Sequence, residues 1–305
     1  MRLVPHVALP QGERRALVLA SEAEFTPMRR LLTTGIGVGI LAVGGSGAIP
    51  VGAAAEQSAA TSPTRSDPAS GLEFVYVEGG SFHFGCEPQD ADCSDDERPG
   101  RRVEVASLWV GKTEVTVEAY AHCVTAGKCG TPNVGNACNW AVAGRGRYPI
   151  NCVDWSQASA FCAYDGGRLP TAEEWEYAAK GGGSRIYSWG DQEVTDHRAN
   201  FADNRYKTKY PRNLDVPGQD DGWVESAPVG MYPSGATKQG LLDMIGNVIE
   251  WTASEYVTGE REARGGGWAT ESRSRRLRAS YRTSRPPSFW HATYGFRCVL
   301  PRAPR

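Results

Sequence analysis

Apolar and polar residues alternate from Phe74 to Phe84 (F-V-Y-V-E-G-G-S-F-H-F), the period of half-buried strands, with Gly79-Gly80 at the centre. The pattern predicts an opening hairpin that turns at the glycine pair. Arg102 to Val110 continues in the same style. The period then lengthens. Thr116 reads as a helix N-cap, with Tyr120, Cys123 and Val124 on one face at helical spacing. Asp154 reads as a second cap, with Ala158, Phe161 and Cys162 facing inward and a stop at Gly166-Gly167. Thr171-x-x-Glu174 is a capping box, followed by the inward stripe Trp175, Ala178 and Ala179. Past Gly181 the periodicity ends. From Ile186 to Gly246, Gly, Pro, Asn and Asp recur between spaced aromatics. So long an irregular stretch needs bound ions, disulfides or aromatic anchors to hold it.

Composition changes this picture little. With 40% hydrophobic and 22% charged residues the 305-residue chain has material for a substantial core. A net charge of −2 gives no bulk attraction to nucleic acid, which is not expected as a partner. The N-terminus adds more. From Met28 a basic pair, an apolar stretch and a small-residue end at Ala53 to Ala55 read as a secretory signal over 28–55. A single membrane anchor is the alternative, and membrane association is expected only if this segment stays uncleaved. Residues 1–27 carry no targeting pattern and read as an N-terminal extension, and 56–71 read as a flexible linker.

Eight cysteines in an exported chain imply disulfides, with many pairings open from sequence alone. Local spacing narrows them. Cys86 and Cys93 flank an acidic loop, Cys123 and Cys129 bracket Ala126-Gly127, and Cys138 and Cys152 flank a Gly/Arg loop. Cys162 and Cys298 remain. With no C-x-x-C pair and five histidines, disulfides are preferred to a metal site.

Several motifs stand in a telling order: Phe84-Gly85, Glu97-Arg98-Pro99, K-T-E-V-T from Lys112, P-I-N-C-V-D-W from Pro149 and G-R-L-P-T-A-E-E-W-E from Gly167. They continue with G-N-V-I-E-W from Gly246, Gly265-Gly266-Gly267-Trp268 and Gly295-Phe296-Arg297-Cys298. Together they resemble the formylglycine-generating enzymes, the sulfatase-modifying factors, over residues 72–301. The resemblance implies an α+β fold, an irregular single domain related to C-type lectin folds, and a long-range Cys162–Cys298 bridge. It also implies two structural calcium sites. One is expected at Asn200, Phe201, Asp221 and Trp223, the other at Asp243, Gly246, Val248 and Glu250; both mix carboxylates with carbonyls as calcium prefers. Arg168, just before a capped helix, reads as a strut tied to Glu174 or Glu176.

The family's redox cysteine pair is missing. Its positions match Thr270 and Arg275, and two neighbouring positions depart as well, at Gly267 and Ile249. Soft copper and oxygen-dependent thiol oxidation both need a thiolate, so neither copper nor conventional formylglycine generation is expected. The same segment is basic: Arg273, Arg275, Arg276, Arg278, Arg282 and Arg285, among Tyr281, Phe289, Trp290 and His291. Arginine with aromatics suits carboxylates, sulfates, sugars or a peptide. The expected ligand groove is Trp268, Thr270, Arg275, Arg278, Arg282 and Trp290. Alternatively, these arginines are solvated or paired with Glu260, Glu262 and Glu271. The sequence thus reads as an exported, secreted or periplasmic (cell-envelope) binding member without catalysis. Its expected partner is an exported polypeptide, a glycan or a small anionic ligand. The alternative is an oxidoreductase-type enzyme with non-cysteine chemistry, for which Glu271 and His291 are the acid/base candidates.

Overall fold

A computed structural model describes residues 62–211, 218–271 and 275–301, all within the unit Ser58–Arg305. The signal stretch 28–55, the extension before it and Arg273 lie outside the described residues.

The alternating stretch forms two strands, β2 (Glu73–Val77) and β3 (Gly80–Phe84), but they do not pair with each other. The next strand-like stretch also divides, into β4 (Arg101–Val105) and β5 (Leu108–Gly111). β2 pairs with β5, Val77 opposite Leu108, and β3 with β4, Gly80 opposite Val105. The result is one antiparallel ribbon bent in the middle, so the expected turn at Gly79-Gly80 is corrected to a bend. The reason is crowding. A Cβ on Gly79 would lie 2.5 Å from Ser107 N and Val105 O. The ribbon's turn is instead the loop between Phe84 and Arg101, which carries the Cys86–Cys93 bridge.

A short strand β1 (Thr64–Ser66) pairs with β2, so regular structure begins inside the stretch read as linker. The three anticipated helices are α1 (Val117–Thr125), α2 (Trp155–Tyr164) and α3 (Ala172–Ala179). Their caps are in place: Thr116 accepts from Ala119 N at 3.2 Å, Asp154 from Gln157 N at 2.8 Å and Thr171 from Glu174 N at 3.2 Å. Among its described residues the irregular region holds one α-helix, which periodicity missed: α4 (Asn204–Lys209), capped by Asp203. Six residues are too few to show a period.

The C-terminal half builds a second sheet from β6 (Ile249–Val257), β7 (Glu260–Arg264), β8 (Arg282–Arg285) and β9 (Tyr294–Gly295), in the order β8-β7-β6-β9. The last strand, β10 (Val299–Pro301), returns to pair with β5. α1 and α2 pack over a ring cluster in which Tyr120 stacks on Phe161 at 5.5 Å and Phe296 meets Phe161 edge-on. Trp175, Trp251 and Phe296 are buried. Trp155 is half-buried, with the Arg261 guanidinium 4.2 Å from its ring centre. The fold is therefore α+β, with four disulfides: Cys86–Cys93, Cys123–Cys129, Cys138–Cys152 and Cys162–Cys298. No cysteine is free.

Charges cross-link the ribbon to the second sheet. Beyond the last turn of α3, Lys180 pairs with Glu87 and Glu176, at 2.6 and 2.7 Å. Arg264 pairs with Glu176 at 2.8 Å and Glu262 at 2.5 Å, all fully or nearly fully buried. Arg168 chooses Glu174, bidentately at 2.6 Å, and holds that carboxyl below its ordinary range despite partial burial.

Candidate functional site

Gly265 and Gly266 leave β7 with φ of 92° and 68°. A Cβ on Gly266 would lie 2.7 Å from Leu277 Cδ2 and 2.8 Å from Arg276 O. Only glycine lets the short 3-10 turn Arg275–Leu277 cross so close to the end of β7. Next to this crossing lies a cavity of about 240 Å³. Ile249 and Tyr294, neighbours on β6 and β9, form part of its wall. Thr283 and Arg285 of β8 enter beside Tyr281, while Thr270 and Arg276 come from the segment after β7. Thr270 and Ile249, two of the positions that depart from the resembled family, therefore line the same space.

Thr270 is held by its own turn: its Oγ1 accepts from Gly267 N at 3.1 Å, and its carbonyl accepts from Ala202 N. Among the described residues no carboxylate lines the cavity. Arg285 donates to Ser284 O at 2.6 Å and stacks over Phe289 at 5.4 Å. Phe289 also meets Tyr294 edge-on at 5.1 Å. Burial raises the Tyr294 hydroxyl, and Arg285 pulls it part of the way back.

The other expected groove residues do not assemble around Thr270. Arg278 is 2% exposed, bonded to Asp90 at 2.5 Å and Glu97 at 2.7 Å, because two buried carboxylates from the loop between Phe84 and Arg101 claim it. It is a structural strut, not a groove residue. Trp268 is buried too; its indole donates to Ala292 O and packs against Tyr206 and Tyr210. Arg282 alternates to the opposite sheet face, over Phe84 at 5.5 Å and near Asp96. Arg275 and Trp290 are exposed but outside the cavity's lining. Glu260 and Glu262 turn to Ser284 and Arg264. Neither acid/base candidate lines the cavity: Glu271 bridges to Ala202, and His291 places its Nδ1 2.8 Å from Thr293 Oγ1. Burial, with Arg285 nearby, lowers the His291 pKa.

The two expected calcium sets differ. In the first, Asp221 accepts from Phe201 N at 2.9 Å and Trp223 N at 2.8 Å, and burial pushes its carboxyl up to about 7. Asn200 Oδ1 is buried without a hydrogen-bond partner. An orphaned hard oxygen on the residue next to the amide that bonds a desolvated carboxylate fits a calcium ion. In the second set, Asp243 accepts from Gly230 N at 2.6 Å. Glu250 is fully engaged by the Arg297 guanidinium and by Trp175 Nε1 at 2.7 Å. Arg297 also donates to Asp243 O, so a guanidinium already stands among these oxygens. This set fits a further cation less well.

Glu114 carried no expected role. It is completely buried, accepts from Asn247 Nδ2 and Val248 N, and is held well above the carboxylate range by burial, then by Asp243 and Glu250. Glu114 and Arg297 were both visible as charges inside quoted motifs, which was the available signal. Cys86, Asp90 and Cys93 also cluster. The two sulfurs are bonded to each other and Asp90 to Arg278, so the group offers no thiolate.

Residues 59–302 match the family described as sulfatase-modifying factor enzyme 1-like domain. The chain is 36% identical over 159 residues to the inactive C-alpha-formylglycine-generating enzyme 2 of Bos taurus, covering 50% of each. It is 28% identical over 302 residues to the formylglycine-generating enzyme of Thermomonospora curvata, covering 78% of this chain and 96% of that one. The chain spans about half the length, or less, of the first curated relatives it matches. Among solved structures, PvdO from Pseudomonas aeruginosa superposes with a TM-score of 0.65 at 22% identity, over 79% of this chain and 99% of that one. That likeness concerns the fold.

Proposed function

This chain belongs to the sulfatase-modifying factor enzyme family, and we propose that it is a binding member that does not generate formylglycine. One observation carries the reading: Thr270 lines the cavity where the resemblance expects a thiol, and every cysteine of the chain is tied in a disulfide. Without a thiolate the site cannot hold copper(I) through sulfur or pass electrons from a thiol. The similarity to a relative named as inactive supports the same reading. Four disulfides fit a compartment outside the cytosol, and we assign the protein to the secreted or periplasmic space. Its partner is an exported polypeptide, a glycan or a small anionic ligand. An enzyme with altered acid/base chemistry is less well supported, since neither Glu271 nor His291 lines the cavity.

The test is incubation of the protein with a sulfatase-type Cys-x-Pro-x-Arg peptide, with and without copper, read by mass spectrometry. The peptide is expected to keep its cysteine. Conversion to formylglycine would overturn the reading.

A structural calcium belongs to the same proposal, at Asn200, Phe201, Asp221 and Trp223. Chelation should lower the melting temperature and speed proteolysis between Ile186 and Gly246, and Asn200→Ala should blunt both responses. Superimposable melting curves with chelator and with excess calcium would remove the ion.

A further inference from the structure

The cavity at Thr270 differs in charge from the other spaces described. The cavity beside Asp221 mixes Asp196, Asp220 and Asp221 with Arg205, and the one under Arg282 mixes Asp96, Glu173, Glu255 and Glu262 with Arg101 and Arg282. At Thr270 the ionised lining among the described residues is arginine alone. Arg264 contributes no side-chain charge to it: β7 pairs Arg264 with Arg282, and both side chains project to the opposite face, toward Phe84. The charge therefore comes from Arg276 and Arg285.

Arg285 differs from the buried arginines in what it touches. Among the described residues it bonds only neutral oxygens, Ser284 O and Thr283 Oγ1. A guanidinium bonded to neutral groups, beside a cavity that no described carboxylate lines, has its preferred partner still to find. The walls say what kind. Hydroxyls come from Thr270, Thr283, Tyr281 and Tyr294, and the flat or apolar surface from Ile249 and the two tyrosine rings. Phe289 supports Arg285 and Tyr294 from behind. At about 240 Å³ the space exceeds a bare carboxylate and admits a ring with it. Seating in so small a cavity strips water from a ligand, and that costs a dianion more than a monoanion because desolvation grows with charge.

We propose that this cavity seats the carboxylate of a small cyclic or aromatic organic acid, with Arg285 gripping the anion and Ile249, Tyr281 and Tyr294 enclosing the ring. The proposal rests on the binding function assigned above and names its ligand class. The substitutions at Thr270 and Ile249 then have a joint meaning: they remove a thiol and leave a hydroxyl beside an apolar wall.

The experiment is calorimetric titration of the full chain with benzoate, benzyl alcohol, sulfate and phosphate, beside the peptide-conversion assay. Benzoate should bind once per chain, at least about tenfold more tightly than sulfate or phosphate, and benzyl alcohol should not bind. Arg285→Gln should weaken benzoate by about tenfold or more, the scale of a hydrogen bond to a charged group. Arg101→Gln, an exposed arginine paired with Glu173 on another face, should leave it unchanged. Absence of benzoate binding, equal binding of sulfate or phosphate, or indifference to Arg285→Gln would each overturn the proposal. Formylglycine in the parallel assay would instead overturn the parent reading, so the two failures are distinguishable.

Discussion

Arg278 and Arg285 belong to one basic run, yet the first ends in a buried lattice of carboxylates and the second at a cavity with none among the described residues. Arg278 satisfies Asp90 and Glu97 from the loop between Phe84 and Arg101, and Ser280 adds a 2.6 Å bond to Glu97. Arg264 does the same with Glu176, 88 residues away, beside its near neighbour Glu262, and Arg297 with Glu250. Arg285 has neutral oxygens and an aromatic face. What divides the arginines is which distant carboxylates the fold brings to them. Ion pairs made across long stretches of chain serve the fold, whereas a guanidinium left with local neutral partners is available for a ligand.

The lattice depends on chain closure, and the Cys162–Cys298 bridge closes a separation of 136 residues, the longest of the four. Replacing both cysteines by alanine should cost about 5 kcal/mol in the loop-entropy model. Denaturant unfolding checks this; a loss no greater than that for the Cys123–Cys129 pair would mean that loop length does not govern here. Arg278→Ala comes next, at about 3–5 kcal/mol, because Asp90 and Glu97 would remain buried and unpaired. A change below 1 kcal/mol would erase the distinction between the two kinds of arginine.

A third prediction concerns a buried charge outside both regions. Burial pushes Asp165 up to about 7, the Ser70 hydroxyl at 3.0 Å pulls it down, and Asp67 nearby raises it. Unfolded aspartate titrates near 4, so between about pH 4 and 7 the folded state holds the extra proton. Stability contributed here is greatest at the acid end and falls as pH rises through that window. Asp165→Asn should flatten that part of the stability–pH curve. An unchanged slope between pH 4 and 7 would remove Asp165 as its cause.

The three long helix starts were legible because capping is local: Thr116, Asp154 and Thr171 each bond an amide within their own first turn. The motifs carried the overall fold. The ribbon was misread at Gly79 because a glycine at a turn and a glycine at a close crossing look alike in sequence. What separates them is Ser107 and Val105 pressing on that glycine, a contact between strands. The groove was half legible for a similar reason. Thr270 stood out through the absent cysteine, but nothing local to Arg278 announces Asp90 and Glu97, and nothing local to Arg282 tells which sheet face it takes. Strand alternation puts Arg282 and Arg285 on opposite faces, and it could be applied only once the bounds of β8 were known.

The smallest expected effect is also the sharpest test of the contrast. Arg285→Gln and Arg275→Ala should each change unfolding stability by no more than about 0.5 kcal/mol, the usual range for surface positions. Both residues are exposed, and the bonds Arg285 makes are to groups that water can satisfy in its absence. Its stacking on Phe289 adds little at an exposed site. Chemical denaturation of both variants beside Arg278→Ala reads the difference directly. If Arg285→Gln destabilised the protein as much as Arg278→Ala, the cavity arginine would be a strut like the others. The charge lining Thr270 would then serve the fold, and a ligand would no longer be needed to explain it.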